Sequence, residues 1–314
     1  MRILIPLLAM ILCGSTVWGQ TVPQMRTRLL TSLTNTEIEQ YLRRNDIIFI
    51  PIGTVEPAGG MPIDAEYVIP LAQAIKAAEA VDGLVLPGLA YFFPDATIVG
   101  RGAVHVTPSE GTAYLKAIAK SLLRQGFRRQ IYLSAHGPSF QTISPLVREI
   151  FDETQVPILY LERGLRAPAS GPQPLRGGMT SMASAKPTIE SNARTMGAYL
   201  VVGRLEDVPV NLSQEVPVHP ANPAVDNLFP VGPQSGAIGF YMTDPTDHAG
   251  PALAMTAEQR ARLAAQGAAE IESNVKAANL PDILQGMRDY DRFVQQRLLP
   301  QYGWMFPGAE SKGR

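Results

Sequence analysis

Two residues stand where chemistry is most easily done. Glu56 follows the apolar run Ile47-Ile48-Phe49-Ile50-Pro51-Ile52 and Gly53, and His136 follows Gln130-Ile131-Tyr132-Leu133-Ser134. A carboxylate or an imidazole at the end of a buried strand can transfer a proton or offer an oxygen or nitrogen ligand. The bland alternatives are a loop carboxylate and a hydrogen-bonded structural histidine. Glu66 follows in Pro62-Ile63-Asp64-Ala65-Glu66, at the start of the next helix, where a carboxylate also favours the positive helix end. His105 lies in Gly102-Ala103-Val104-His105, while His219 and His248 sit in Pro- and Gly-rich stretches and read as exposed.

The whole chain narrows the choice. Its 314 residues are 46% hydrophobic, enough for a sizeable core, and the formal net charge of −1 gives no reason to expect nucleic acid or an anionic membrane as partner. A small-molecule substrate is expected. Cys13 is the sole cysteine and lies in an N-terminal segment with the features of a secretory signal: Arg2, the apolar run Ile3–Cys13, and small residues up to Gly19. Cleavage after Gly19 leaves a periplasmic or secreted chain without a thiol, and so without disulfides or thiolate sites. The apolar run is shorter than the ~20 residues of a spanning helix, so no stable membrane insertion is expected.

Elements that position these residues are written locally. Thr34 and Glu37 have capping-box spacing and start a short helix ending near Arg44. Thr107-Pro108-Ser109-Glu110 starts another, in which Leu115, Ile118, Ala119 and Leu122 form one buried stripe before Gly126. Val156–Leu161 reads as a third strand, and Thr256–Ala278 as a final long helix. Residues 164–187 and 216–233 read as loops. Strands alternating with helices imply an α/β fold, a three-layer α/β/α sandwich with a mostly parallel sheet, whose ligands bind beyond the carboxyl ends of the strands. The division expected is a signal peptide over 1–19, one domain over 20–300, and a tail over 301–314.

Several segments, in order, resemble the creatininase family. Leu33-Thr34-Asn35-Thr36-Glu37 resembles its opening helix start, and Ile50-Pro51-Ile52-Gly53-Thr54-Val55-Glu56 a strand ending in Gly-Ser-x-Glu-Gln-His-Gly. Gly126-Phe127-Arg128-Arg129, a strand and Ala135-His136-Gly137 resemble Gly-Phe-Arg-Arg followed by Asn-Gly-His-Gly-Gly-Asn. Ser235–Gly239 with Thr256–Gln259 resembles the C-terminal signature. The resemblance implies a metal-dependent hydrolase of a small amide, a creatininase-like fold and a homo-oligomer. It implies metal ligands at Glu56, Glu66, His136 and Glu190, with Asp64 as the alternative to Glu66, around one divalent cation, Zn, Mn or Fe. Where the family has its first ligand histidine this chain has Ala58, and Pro138-Ser139 replaces Gly-Asn after His136. His105 is the candidate to replace the lost imidazole. The departures favour a second reading, a non-catalytic ligand-binding or assembly protein on the same fold.

Overall fold

The computed structural model describes residues 24–162, 164–165, 188–212, 239, 241 and 252–306. The expected signal segment and both expected loops lie wholly or almost wholly outside them.

Helix α1 (Asn35–Leu42) begins at the Thr34–Glu37 capping box, with both reciprocal hydrogen bonds formed. Strand β1 (Ile47–Ile52) is buried along its whole length. Helix α2 (Ala65–Val81) leads to the short strand β2 (Leu84–Val85). Helix α3 (Pro108–Gln125) starts at the Thr107–Glu110 box, and ends where Gly126 adopts a φ of 105°, which L side chains resist. Strand β3 (Arg129–Ser134), helix α4 (Phe140–Thr154) and strand β4 (Leu159–Leu161) follow. Then come α5 (Ala193–Val201), α6 (Ala257–Ala277), α7 (Leu280–Phe293) and α8 (Leu299–Tyr302).

Two sequence expectations change here. The third strand is half its expected length, and α6 is not the last helix. Helix α7 follows it, with Asn279 turning the chain at a φ of 48°. No helix among the described residues is long and apolar enough to cross a membrane.

Among the described residues four strands form one parallel sheet in the order β2-β1-β3-β4. Alternation along β1 and β3 divides the core. Ile48, Ile50, Ile52 and Tyr132 face Leu115, Ala119, Leu122, Ile143, Leu146 and Ile150 of α3 and α4. Ile47, Phe49, Ile131 and Leu133 face Ala74, Ala77 and Ala78 of α2, with Val275, Leu284 and Met287 of α6 and α7. Helices on both faces explain why these strands read as continuous apolar runs rather than alternating ones. A third cluster joins Val68 and Ala72 of α2 to Met196 and Tyr199 of α5 and to Leu263 and Ile271 of α6.

Register is what matters for the site. Ile52 of β1 is level with Ser134 of β3, so both chains leave the sheet at the same edge. Gly53 permits the next step, because a Cβ there would stand 2.3 Å from Tyr67 Cα at the start of α2.

Candidate active site

At that edge the structure brings Glu56 and His136 into contact. His136 Nδ1 lies 2.9 Å from Glu56 Oε1, with Glu56 fully buried and His136 only 4% exposed. Thr54 Oγ1 donates to the same carboxylate oxygen at 2.9 Å. Thr97 Oγ1 faces the other, Oε2, and also lies 2.6 Å from the Pro94 carbonyl oxygen, the second acceptor for its single proton. A carboxylate is only an acceptor, so the nitrogen facing it carries the proton, and the neutral ring keeps its lone pair on Nε2. Nε2 is buried and, among the described residues, has no hydrogen-bond partner.

Charge around the ring is negative. Burial opposes protonation of His136, but the Glu56 carboxylate and its hydrogen bond outweigh it, and Glu66 and Asp95 add to the effect, so the imidazole titrates above its usual range. Glu66 stands half-buried in the first turn of α2. Asp95 is held at a φ of 55°, a conformation uncommon outside glycine and found where surrounding structure enforces it.

The remaining expected residues stand elsewhere. Glu190 is exposed in the short 3-10 turn Ile189–Asn192, capped by Thr188. Asp64 is taken by the Tyr199 hydroxyl and by Arg204 Nη1, the latter at 2.6 Å. Ala58 packs against the apolar cluster of α2, α5 and α6. His105 is exposed, with its ring centroid 5.6 Å from that of Phe93. His219 and His248 lie outside the described residues.

A hydrolytic cation needs about three protein ligands around an open position. Among the described residues no group of three or more His, Asp and Glu side chains stands close enough to hold one. The expected set of Glu56, Glu66, His136 and Glu190 is therefore not gathered as a group. Glu56 instead faces two hydroxyls and an imidazole, which is the arrangement of an orienting partner. The residues described do not fit the cation that the motifs imply.

Thr54, Thr97 and Asp95 escaped the sequence reading. Thr54 lies within the motif that carries Glu56, so its spacing was a usable signal. Pro94-Asp95 is a turn signature, but nothing local announces that Thr97 returns to Glu56.

The family model described as creatininase, creatinine amidohydrolase, matches residues 31–196. No curated protein matches by sequence. Among solved structures, a creatininase point mutant complexed with creatine is similar at a TM-score of 0.53 and 16% identity, over 80% of this chain and 98% of its own. A manganese creatininase is similar at 0.52 and 17%, over the same shares. At such identity the likeness is one of fold.

Proposed function

This chain belongs to the creatininase family, and from that premise we propose that it acts on a small amide at the sheet edge where Glu56 meets His136. The observation that carries the reading is the buried imidazole whose Nδ1 is held by a carboxylate while Nε2 has no partner among the described residues. A buried polar atom without a partner costs about 1–3 kcal/mol. A purely structural histidine has no need to bear that penalty, whereas one that meets a substrate does.

In this reading Nε2 takes a proton from water as the water adds to the amide carbonyl, then returns it to the departing nitrogen. Glu56 holds the ring in register and stabilises the imidazolium, with Glu66 and Asp95 adding negative potential. Export with cleavage after Gly19 belongs to the same proposal, supported by the signal-like first segment. Assembly into a homo-oligomer belongs to it too. Sequencing the N-terminus of envelope-derived protein and sedimentation check these two.

A second reading is favoured by Ala58 and Pro138, and by the lack of a donor trio among the described residues: the site binds a small amide without cleaving it. Incubation with a panel of linear and cyclic amides, followed by NMR, separates the two. Turnover that falls by about 10²-fold or more in His136→Ala is expected. Binding without turnover, lost in the same variant, supports the binder. Neither turnover nor binding ends both readings.

A further inference from the structure

In the motif, position 56 is a metal ligand. In this structure the same carboxylate faces Thr54 Oγ1, Thr97 Oγ1 and His136 Nδ1. Two of these partners come from outside the loop after β1 that carries Glu56: Thr97 from the short 3-10 turn Asp95–Val99, and His136 from the loop after β3.

We propose that Glu56 and Thr97 are positioning residues for a cation-free site, in which Glu56, fixed by the Thr54 and Thr97 hydroxyls, holds His136 as the Nδ1–H tautomer and leaves Nε2 as the working atom. Three independent features converge on it. First, a carboxylate oxygen engaged by both a hydroxyl and an imidazole N–H is poorly placed to coordinate, because its lone pairs are occupied. Second, among the described residues the other side chains of the implied set are not gathered around Glu56 as a group: Ala58 is packed against apolar residues, Asp64 is bound by Tyr199 and Arg204, Glu190 is exposed, and Glu66, half-buried at the head of α2, acts on the ring through its charge. Third, Ser139, one residue past Pro138, is 2% exposed and accepts from Ser134 Oγ at 2.8 Å, so the loop after His136 is fastened by hydroxyls.

Thr97 is where the idea is most exposed. Its hydroxyl is the contact on Oε2, across the carboxylate from His136, so it sets the plane of the group that Nδ1 meets. Removing it frees Glu56 to rotate and the ring to exchange tautomers. Thr97→Ser keeps the hydroxyl, and Thr97→Val keeps the shape without it.

The test uses the whole chain in two measurements. Metal content is determined on protein purified without chelator, then after equilibration with Zn or Mn and removal of free ion. The expected result is well below one bound cation per chain in both. A cation near one per chain that is lost in Glu56→Gln or His136→Ala overturns the proposal. In parallel, ¹⁵N-histidine NMR above the titration range of the ring reports which nitrogen is protonated. The native chain and Thr97→Ser are expected to show His136 as the Nδ1–H form, with Thr97→Val losing that single form. An Nε2–H tautomer in the native chain, or a Thr97→Val spectrum identical to it, overturns the proposal. The inference rests on the site assigned above but fails separately. Amide turnover with a required cation would sink it and leave the function standing. A cation-free protein indifferent to amides would do the reverse.

Discussion

Residue types at the sheet edge carry different amounts of information. Glu56 and His136 were legible because each ends an apolar run, and that feature alone places a side chain at the mouth of a parallel sheet. That the two meet was legible as well, since both follow buried parallel strands and the resemblance places them around one point; that they meet directly, Nδ1 on Oε1, was not, because local sequence does not specify which atoms of two loops touch. Ala58 illustrates the limit: the motif shows that an imidazole is missing, while only the structure shows apolar Met61, Ala65 and Val68 in the cluster that Ala58 packs against. Restoring the histidine therefore has a definite expected outcome. Ala58→His places a larger, polar ring against a packed surface, lowering stability by about 1–3 kcal/mol. Urea titration measures this, and metal content is expected to stay unchanged. A gain of one cation per chain would contradict it.

At the scale of elements, the sequence was most informative where structure is local. Both capping boxes, the Gly126 stop and the stripe Leu115, Ile118, Ala119 and Leu122 are short-range features, and they appear as read except that Ile118 is only partly buried. Helix α7 was not expected, the last expected helix ending at Ala278, although Leu280, Leu284 and Met287 have helical spacing and Pro281 stands in its first turn. Its place depends on long-range charge. Asp291 accepts from Arg128 Nη2 at 2.9 Å and from Arg129 Nη1 at 3.2 Å, fastening α7 to the first residue of β3. Gly53 gives the sharpest prediction at this scale. Gly53→Ala forces a methyl into Tyr67 at the head of α2, and overpacking of this kind costs about 1–3 kcal/mol. A melting temperature lowered by several degrees, with the His136 NMR signals displaced, is expected. An unchanged melt would show that α2 can yield.

Taken as a whole, the molecule is held by apolar layers on both sides of one sheet, with charge used at its margins. Asp82 ends α2 and accepts from Arg28 Nη1 at 2.6 Å and Arg44 Nε at 2.9 Å, joining the N-terminal segment and α1 to the sheet. Burial alone would favour its neutral form, but the hydrogen bonds from Arg44 and Arg28 prevail and hold its carboxyl below the usual value of 3.8. A lowered folded pKa means stability that is complete above the unfolded value and is lost as pH falls through the folded one. Acid unfolding below about pH 4 is thus expected to be shallower in Asp82→Asn than in the native chain. Equal slopes in paired urea titrations would refute that role.

The parallel pairing of β1 with β3 also orders events in time. No hairpin can seed such a sheet, because the chain from Ile52 must build α2, β2 and α3 before Ser134 can arrive beside it. Glu56 and His136 are therefore joined only by closing a long loop of chain, and the entropy of that closure is met by the pairing of the central strands rather than by the two side chains themselves.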